Sequence, residues 1–216
     1  MNLYKGMFKS YNINDLSDKA KEKAYSNWLA SETYYPWGDD NEHTLKEFSR
    51  IFDVKVKSWS YDMNTYDYRI QDIAHDWKYE EVSGIRLAAY VWNNYSKYIL
   101  KGKYYSTDLK YIDGKAINKS RHSKINQSLN GCNLTGYYTD DCILEPIIKC
   151  LHYKEMFNSY EDLIKDCLET FFQACQKEVE NYYSYENFLE DAKCNEWEYD
   201  IYGNNFHLPN EFIETA

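Results

Sequence analysis

The chain has 216 residues, 44% hydrophobic and 28% charged, with only 8 glycines and 3 prolines. That length suits one large domain or two small ones, and an aromatic content of 18% argues against disorder. No apolar run approaches the ~18–20 residues of a membrane span. Residues 1–24 lack the continuous apolar stretch of a signal peptide, so a cytoplasmic protein off the membrane is expected.

Charge is distributed unevenly. The formal net charge is −10. Residues 1–96 carry 12 basic and 15 acidic side chains, residues 97–124 carry 8 and 2, and residues 125–216 carry 5 and 18. Nucleic-acid binding needs clustered cations to neutralise phosphates, which only the short middle segment offers. The acidic third either solvates the protein or complements a cationic surface on a partner. The six cysteines (Cys132, Cys142, Cys150, Cys167, Cys175, Cys194) all lie at or beyond position 132. None has the C-x₂₋₄-C spacing of a zinc site. Reduced thiols are expected, with no metal and no cofactor. Cys150 and His152 form the nearest approach to a ligand pair.

The elements follow in chain order. A strand is expected at Leu3–Tyr11. Asn14 or Ser17 then caps a helix whose inner stripe is Leu16, Ala20, Ala24 and Trp28. A second helix over about 40–52 has Leu45, Phe48, Ile51 and Phe52 on one face. Val54–Tyr61 alternates as a half-buried strand and turns at Asn64-Thr65 into a partner, Tyr66–Ile70. Residues 84–100 form a helix with Ile85, Ala88, Ala89, Trp92, Tyr95 and Ile99 inward. Residues 101–124 lack periodicity and read as a loop, and 128–139 are turn-rich. A helix from about 140 carries Ile143, Leu144, Ile147, Ile148 and Leu151. Ser159 caps a long helix to about Asn181, lined by Tyr160, Leu163, Ile164, Cys167, Leu168, Phe171, Phe172 and Cys175. Ser184 caps a last helix with Phe188, Leu189 and Ala192, and Glu196–Leu208 reads as a β-hairpin. The sum is a helix-rich α+β fold of five or six helices with a small antiparallel sheet. It is expected as one compact domain, or as two lobes meeting near 101–130.

Phosphate-loop, dinucleotide, nucleophile-elbow and zinc-protease motifs are absent, and the five histidines are scattered, so an enzyme is not expected. Asp140, Asp141 and Glu145 could bind a metal, but acids at a helix start are already accounted for by the helix dipole. Twenty-four tyrosines, with doublets at 34–35, 104–105, 137–138 and 182–183, fit an interaction surface. They also fit an AT-rich coding sequence. Lys101, Lys103, Tyr104, Tyr105, Lys110, Lys115, Lys119, Arg121 and Lys124 interleave cations with aromatics in the manner of a single-strand nucleic-acid binder.

Three segments carry a resemblance. Tyr11–Ala24 (YNINDLSDKAKEKA) is similar to a helix start of pattern Y-x-[FI]-x-E-L-S-x-x-A-K-x-K-A. Cys132–Asp141 (CNLTGYYTDD) is similar to a C-P-L-T-G-x-x-x-D turn, with Asn133 in place of proline. Asn195–Gly203 (NEWEYDIYG) is similar to an N-E-[YW]-x-[FY]-x-x-x-G close. Together they resemble a family of small uncharacterised phage and prophage proteins, loosely labelled antitoxin-like. The resemblance implies phage origin, and with it an anti-defence, anti-CRISPR-like protein acting inside the bacterial host. Such a protein would bind a host defence protein, such as a Cas effector nuclease, through an acidic surface set against a cationic groove. The contacts expected are Asp140, Asp141, Glu186, Glu190, Asp191, Glu196, Glu198 and Asp200. The alternative is a nucleic-acid-binding or toxin–antitoxin-type regulator using 97–124.

Overall fold

The computed structural model describes residues 2–4, 8–32, 35–73, 82–99, 110–112, 115–117, 132–153 and 157–206. Among them are six α-helices and three small antiparallel sheets, an α+β fold as expected. Packing separates the chain into a terminal unit, residues 1–35 with 178–216, and a central unit, residues 36–177. Most of the stretch 101–130, where lobes were expected to meet, lies outside the described residues.

In the terminal unit the first strand expected is instead two, β1 (Asn2–Tyr4) and β2 (Phe8–Asn12), paired antiparallel. After one 3-10 turn, Ser17 caps α1 (Asp18–Ser31), its Oγ accepting from the Ala20 N–H at 3.4 Å. The expected stripe Leu16, Ala20, Ala24, Trp28 is buried. It packs with Ile13, Phe188, Ala192 and Tyr199 in one apolar cluster. Ser184 caps α6 (Tyr185–Cys194), accepting from the Asn187 N–H at 3.1 Å. Of the hairpin expected at Glu196–Leu208, residues 207–208 lie outside the described residues. Its strand β7 is only Glu198–Tyr199 and pairs with β2, while the returning chain adds a single bridge, Tyr199 to Asn205.

The central unit contains α2 (Gly38–Phe52), β3 (Val54–Tyr61), β4 (Tyr66–Ile73), α3 (Gly84–Ile99), β5 (Lys110–Ile112), β6 (Lys115–Ile117) and α4 (Thr139–Tyr153). It also holds α5 (Tyr160–Tyr182) up to Lys177. All eight residues expected to line α5 are buried, from Tyr160 at 2% exposure to Cys175 at 0%. The stripe expected on α3 is rotated. Leu87, Ala88, Val91 and Ile99 are buried, whereas Ile85 is 65% exposed. Arg86, Asn93, Asn94, Ser96 and Lys97 gather on one side of this helix and Ile85 borders them, so the inner face lies toward Leu87 and Val91.

The β3–β4 pair departs from simple alternation. The register runs Lys55↔Asp72, Val56↔Ile70, Ser58↔Arg69, so Gln71 and Lys57 are each skipped. Each skipped residue reverses the side-chain parity of its strand. Val54 and Val56 therefore share the inner face with Tyr61, and Tyr66, Tyr68 and Ile70 share it with Ile73. The two bulges cancel in register. Of the basic stretch read as a loop, 110–112 and 115–117 form a short antiparallel pair.

Candidate functional site

The terminal unit holds most of the acidic excess. Its residues 1–35 and 178–216 carry 6 basic and 14 acidic side chains, so −8 of the net −10 resides there. On its surface Glu186, Glu190 and Glu196 are exposed, and Glu198 and Asp191 are half-buried. Partial burial first, and then the charges of Asp18, Glu22 and Glu186, raise the pKa of the Tyr185 phenol. Asp18 and Glu22 of α1 thus lie near Glu186 of α6, on a helix that also carries Lys19, Lys21 and Lys23. Asp18 and Glu22 escaped the sequence reading because residues 1–35 are nearly neutral overall.

Three expected contacts hold backbone of their own loops. The Asp200 carboxylate holds the loop that follows β7. Oδ1 accepts from the N–H groups of Tyr202 (2.8 Å) and Asn204 (2.9 Å), and Oδ2 accepts from Asn204 Nδ2 (2.8 Å). Desolvation is the largest single effect on this carboxyl and raises its pKa, but the hydrogen bonds together hold it below the ordinary value. Asp140 is not on a surface at all. It is 0% exposed in the first turn of α4, in the central unit. Its Oδ2 accepts three successive backbone N–H groups, from Leu134 (2.9 Å), Thr135 (2.7 Å) and Gly136 (3.0 Å). Its Oδ1 accepts the hydroxyls of Thr44 (3.0 Å) and Thr135 (2.8 Å). Asp140 is therefore corrected from partner contact to structural anchor, because a saturated, buried carboxylate has nothing left to offer a partner. Asp141 accepts from the Cys132 N–H at 3.2 Å and belongs to the same loop. The C-x-L-T-G turn of this chain is thus a nest wrapped around a carboxylate that follows it in sequence.

Within the terminal unit lies a cavity of about 310 Å³ lined by Trp28, Glu32, Trp197, Glu198, Tyr199, Asn205 and Phe206. Trp28 and Tyr199 are buried at 8% and 1% exposure, so they form its deep wall, while Trp197, Glu198 and Phe206 are half-buried. The Trp28 ring is held by rings of Tyr25, Tyr182, Tyr183 and Phe188 at centroid distances of 5.5–6.1 Å. Glu32 is the C-cap of α1, donating its N–H to the Trp28 carbonyl at 2.9 Å. Burial first, and then the charge of Glu32, raise the pKa of the Tyr182 phenol. The Glu198 carbonyl accepts the Phe206 N–H at 2.8 Å, and Trp197 donates its N–H to the Ala192 carbonyl at 2.9 Å. Glu198 is the one expected contact that lines this cavity. The others come from the end of α1 and from the segment around β7, which lie far apart in sequence, so no local pattern brings them together.

Of the basic segment, Lys101, Lys103, Tyr104, Tyr105, Lys119, Arg121 and Lys124 lie outside the described residues. Lys110 and Lys115 stand at opposite ends of the register of β5 and β6, paired with Ile117 and Ile112. None of the six cysteines is in a disulfide, and Cys150, Cys167 and Cys175 are buried while Cys194 is exposed. Burial pushes the Cys150 thiol up to about 11 and raises Cys167 as well, the opposite of an activated nucleophile. Cys150 is buried where His152 is exposed, so the two do not form a ligand pair. Among the described residues no three His, Cys, Asp or Glu side chains gather as metal ligands, and no helix is long and apolar enough to cross a membrane. Comparison with protein-family models, curated proteins and solved structures found no match for this chain.

Proposed function

We propose that this protein works by binding, and that its terminal unit presents carboxylates and aromatic rings to a cationic groove on a partner protein. The partner class is a host nuclease of a defence system, of the Cas effector kind, inhibited by a phage-encoded ligand. The observation that carries the reading is the concentration of −8 in the smaller of the two units, which also holds a cleft lined by tryptophan and glutamate. Charge of one sign steers association and opposes wrong partners. Aromatic rings provide contact area at low entropic cost. The Cys150 and Cys167 thiols are held protonated by burial, and the most enclosed carboxylate, Asp140, is consumed by its own loop. Both observations support a binding role over a hydrolytic one.

The test is direct binding to, and inhibition of, purified Cas effector nucleases. Wild-type protein is compared with a variant carrying Glu186→Lys, Glu190→Lys, Glu196→Lys and Glu198→Lys. Binding that weakens with salt and falls at least about tenfold in the variant is expected, with far-ultraviolet circular dichroism unchanged. Unchanged affinity in the variant removes the acidic surface from the proposal. If the protein instead shifts free RNA or DNA on a gel, with a steep salt dependence, the activity belongs to residues 97–124.

A further inference from the structure

We infer that the loop closing the terminal unit, residues 200–204, is a docking anchor that inserts Ile201 and Tyr202 into an apolar notch rimmed by lysine and arginine on a partner protein. The sign of the rim rests on the reading above. The anchor itself is argued from how the loop is built.

Ile201 is 57% exposed and Tyr202 74%. Single exposed apolar side chains are ordinary on a protein surface. This loop instead holds two adjacent ones outward and denies them a way in. The Asp200 carboxylate grips the N–H groups of Tyr202 and Asn204. The loop also closes on itself, where Asp200 donates its N–H to the Asn204 carbonyl at 2.9 Å and Gly203 donates to the Asp200 carbonyl at 3.1 Å. On the inner side Gly203 is buried against α1. Its carbonyl accepts from the Asn27 amide at 3.4 Å, and an added Cβ would lie 2.0 Å from the Ala20 carbonyl oxygen. With Gly203 filling the space next to α1, the side chains at 201 and 202 stay on the solvent side. Much of the entropy cost of ordering this segment is therefore met before a partner arrives. A rigidly held tyrosine is characteristic of interface hot spots.

The surroundings choose the occupant. Residues 196–206 carry three carboxylates and no lysine or arginine, and the unit as a whole carries −8. Such a surface repels phosphate, which disfavours a nucleic-acid base stacked on Tyr202. It also repels the anionic headgroups that draw basic segments to membranes. A second copy of the same loop would bring like charges together. A protein surface with apolar contact area for two side chains and cations around it meets every requirement. The charges then speed encounter, and the inserted side chains slow dissociation.

The probe is a yeast-displayed library of short random peptides, selected on the immobilised full chain, with the binders resynthesised and titrated by calorimetry. Peptides that combine basic with apolar residues are expected, with Kd on the order of 10 μM and binding that weakens with salt. Tyr202→Ser and Ile201→Ser should each weaken binding at least about tenfold. Tyr153→Ser, at a comparably exposed tyrosine of the central unit (71%), should not. In wild-type protein the amide resonances of Ile201 and Tyr202 should shift as peptide is added, a readout that holds even where a variant fails to fold. Binders that leave those resonances unmoved, binders without basic residues, or a selection that yields no binder overturn the inference. A nuclease that binds Tyr202→Ser as tightly as wild type overturns the anchor and leaves the partner reading standing. Absence of nuclease binding with the peptide results intact sinks the partner reading alone, so the two failures are distinguishable.

Discussion

Removing the Asp140 carboxylate should be among the most damaging single changes in the central unit. Asp140→Ala strands the donors that converge on it. The Leu134 N–H is buried, and an unsatisfied buried donor costs about 1–3 kcal/mol. The Thr135 and Gly136 N–H groups are only partly buried, so water can replace the carboxylate at a cost of about 0.5–1.5 kcal/mol each. Thr44 and Thr135 keep partners, since the Thr44 hydroxyl also lies 3.2 Å from that of Thr135 and 3.1 Å from that of Thr139. The desolvation cost of burying the carboxylate is recovered in part, which leaves a net loss of roughly 3–4 kcal/mol. Asp140→Asn keeps one oxygen for the three N–H groups, and its amide can donate to hydroxyls that turn around, so the loss should be about 1–2 kcal/mol. Urea unfolding followed by circular dichroism gives both numbers. Hydrogen exchange at Leu134, Thr135 and Gly136 reports the nest directly. An alanine variant within about 0.5 kcal/mol of wild type, the range of an ordinary surface substitution, with those amides still protected, would refute the reasoning.

Three other predictions follow from individual contacts. At Gly203, φ is +83° and an added Cβ would sit 2.0 Å from the Ala20 carbonyl oxygen. Gly203→Ala should therefore cost about 2 kcal/mol or more, and a variant that melts with wild type would show that the loop does not rest on α1. A thiol reagent added to native protein should modify Cys194 quickly and leave Cys150, Cys167 and Cys175 unreacted until denaturant is added; rapid titration of all six would contradict their burial. For pH, the hydrogen bonds from Tyr66, and then from Gln173 and Tyr68, hold Glu169 below its ordinary value, so this clamp stabilises the fold above about pH 4.3 and is lost as pH falls through the lowered folded value. Burial pushes Tyr68 and Tyr199 up to about 12, so their contribution is full below about pH 10 and disappears as pH rises through that folded value. The difference in absorbance at 295 nm between wild type and Tyr68→Phe or Tyr199→Phe should show each phenol ionising well above pH 10, and a difference that appears near pH 10 in folded protein would be the contrary result.

How much was legible in advance differs from element to element, and the reasons are physical. On α5 the burial pattern is strict, because a helix buried along one stripe must repeat every three to four residues. The caps Ser159 and Ser184 were equally readable, and Ser17 was one of two candidates with Asn14, since each hydroxyl satisfies an orphan N–H of the first turn. The bulges of β3 and β4 left a trace that strict alternation overlooks. The apolar positions 54 and 56 change parity to 59 and 61, and only an extra residue between them keeps all four on one face. On α3, by contrast, the expected stripe took in Ile85, which borders the polar side, and missed Leu87 and Val91, which are buried.

Sequence by itself determined the α+β class, the helix starts, the inner faces of α1, α2, α4 and α5, and the acidic character of the C-terminal third. Each of these rests on neighbours within one or two turns, or on composition. Tertiary structure decided what surrounds the acidic groups. Asp140 and Asp141 resemble Glu196 and Glu198 as letters, yet a nest of backbone N–H groups encloses Asp140 while Glu198 lines a cavity beside Trp28 and Glu32. A carboxylate's role is set by which donors and rings surround it. Around Glu198 those arrive from α1 and β7, segments that only long-range packing brings together.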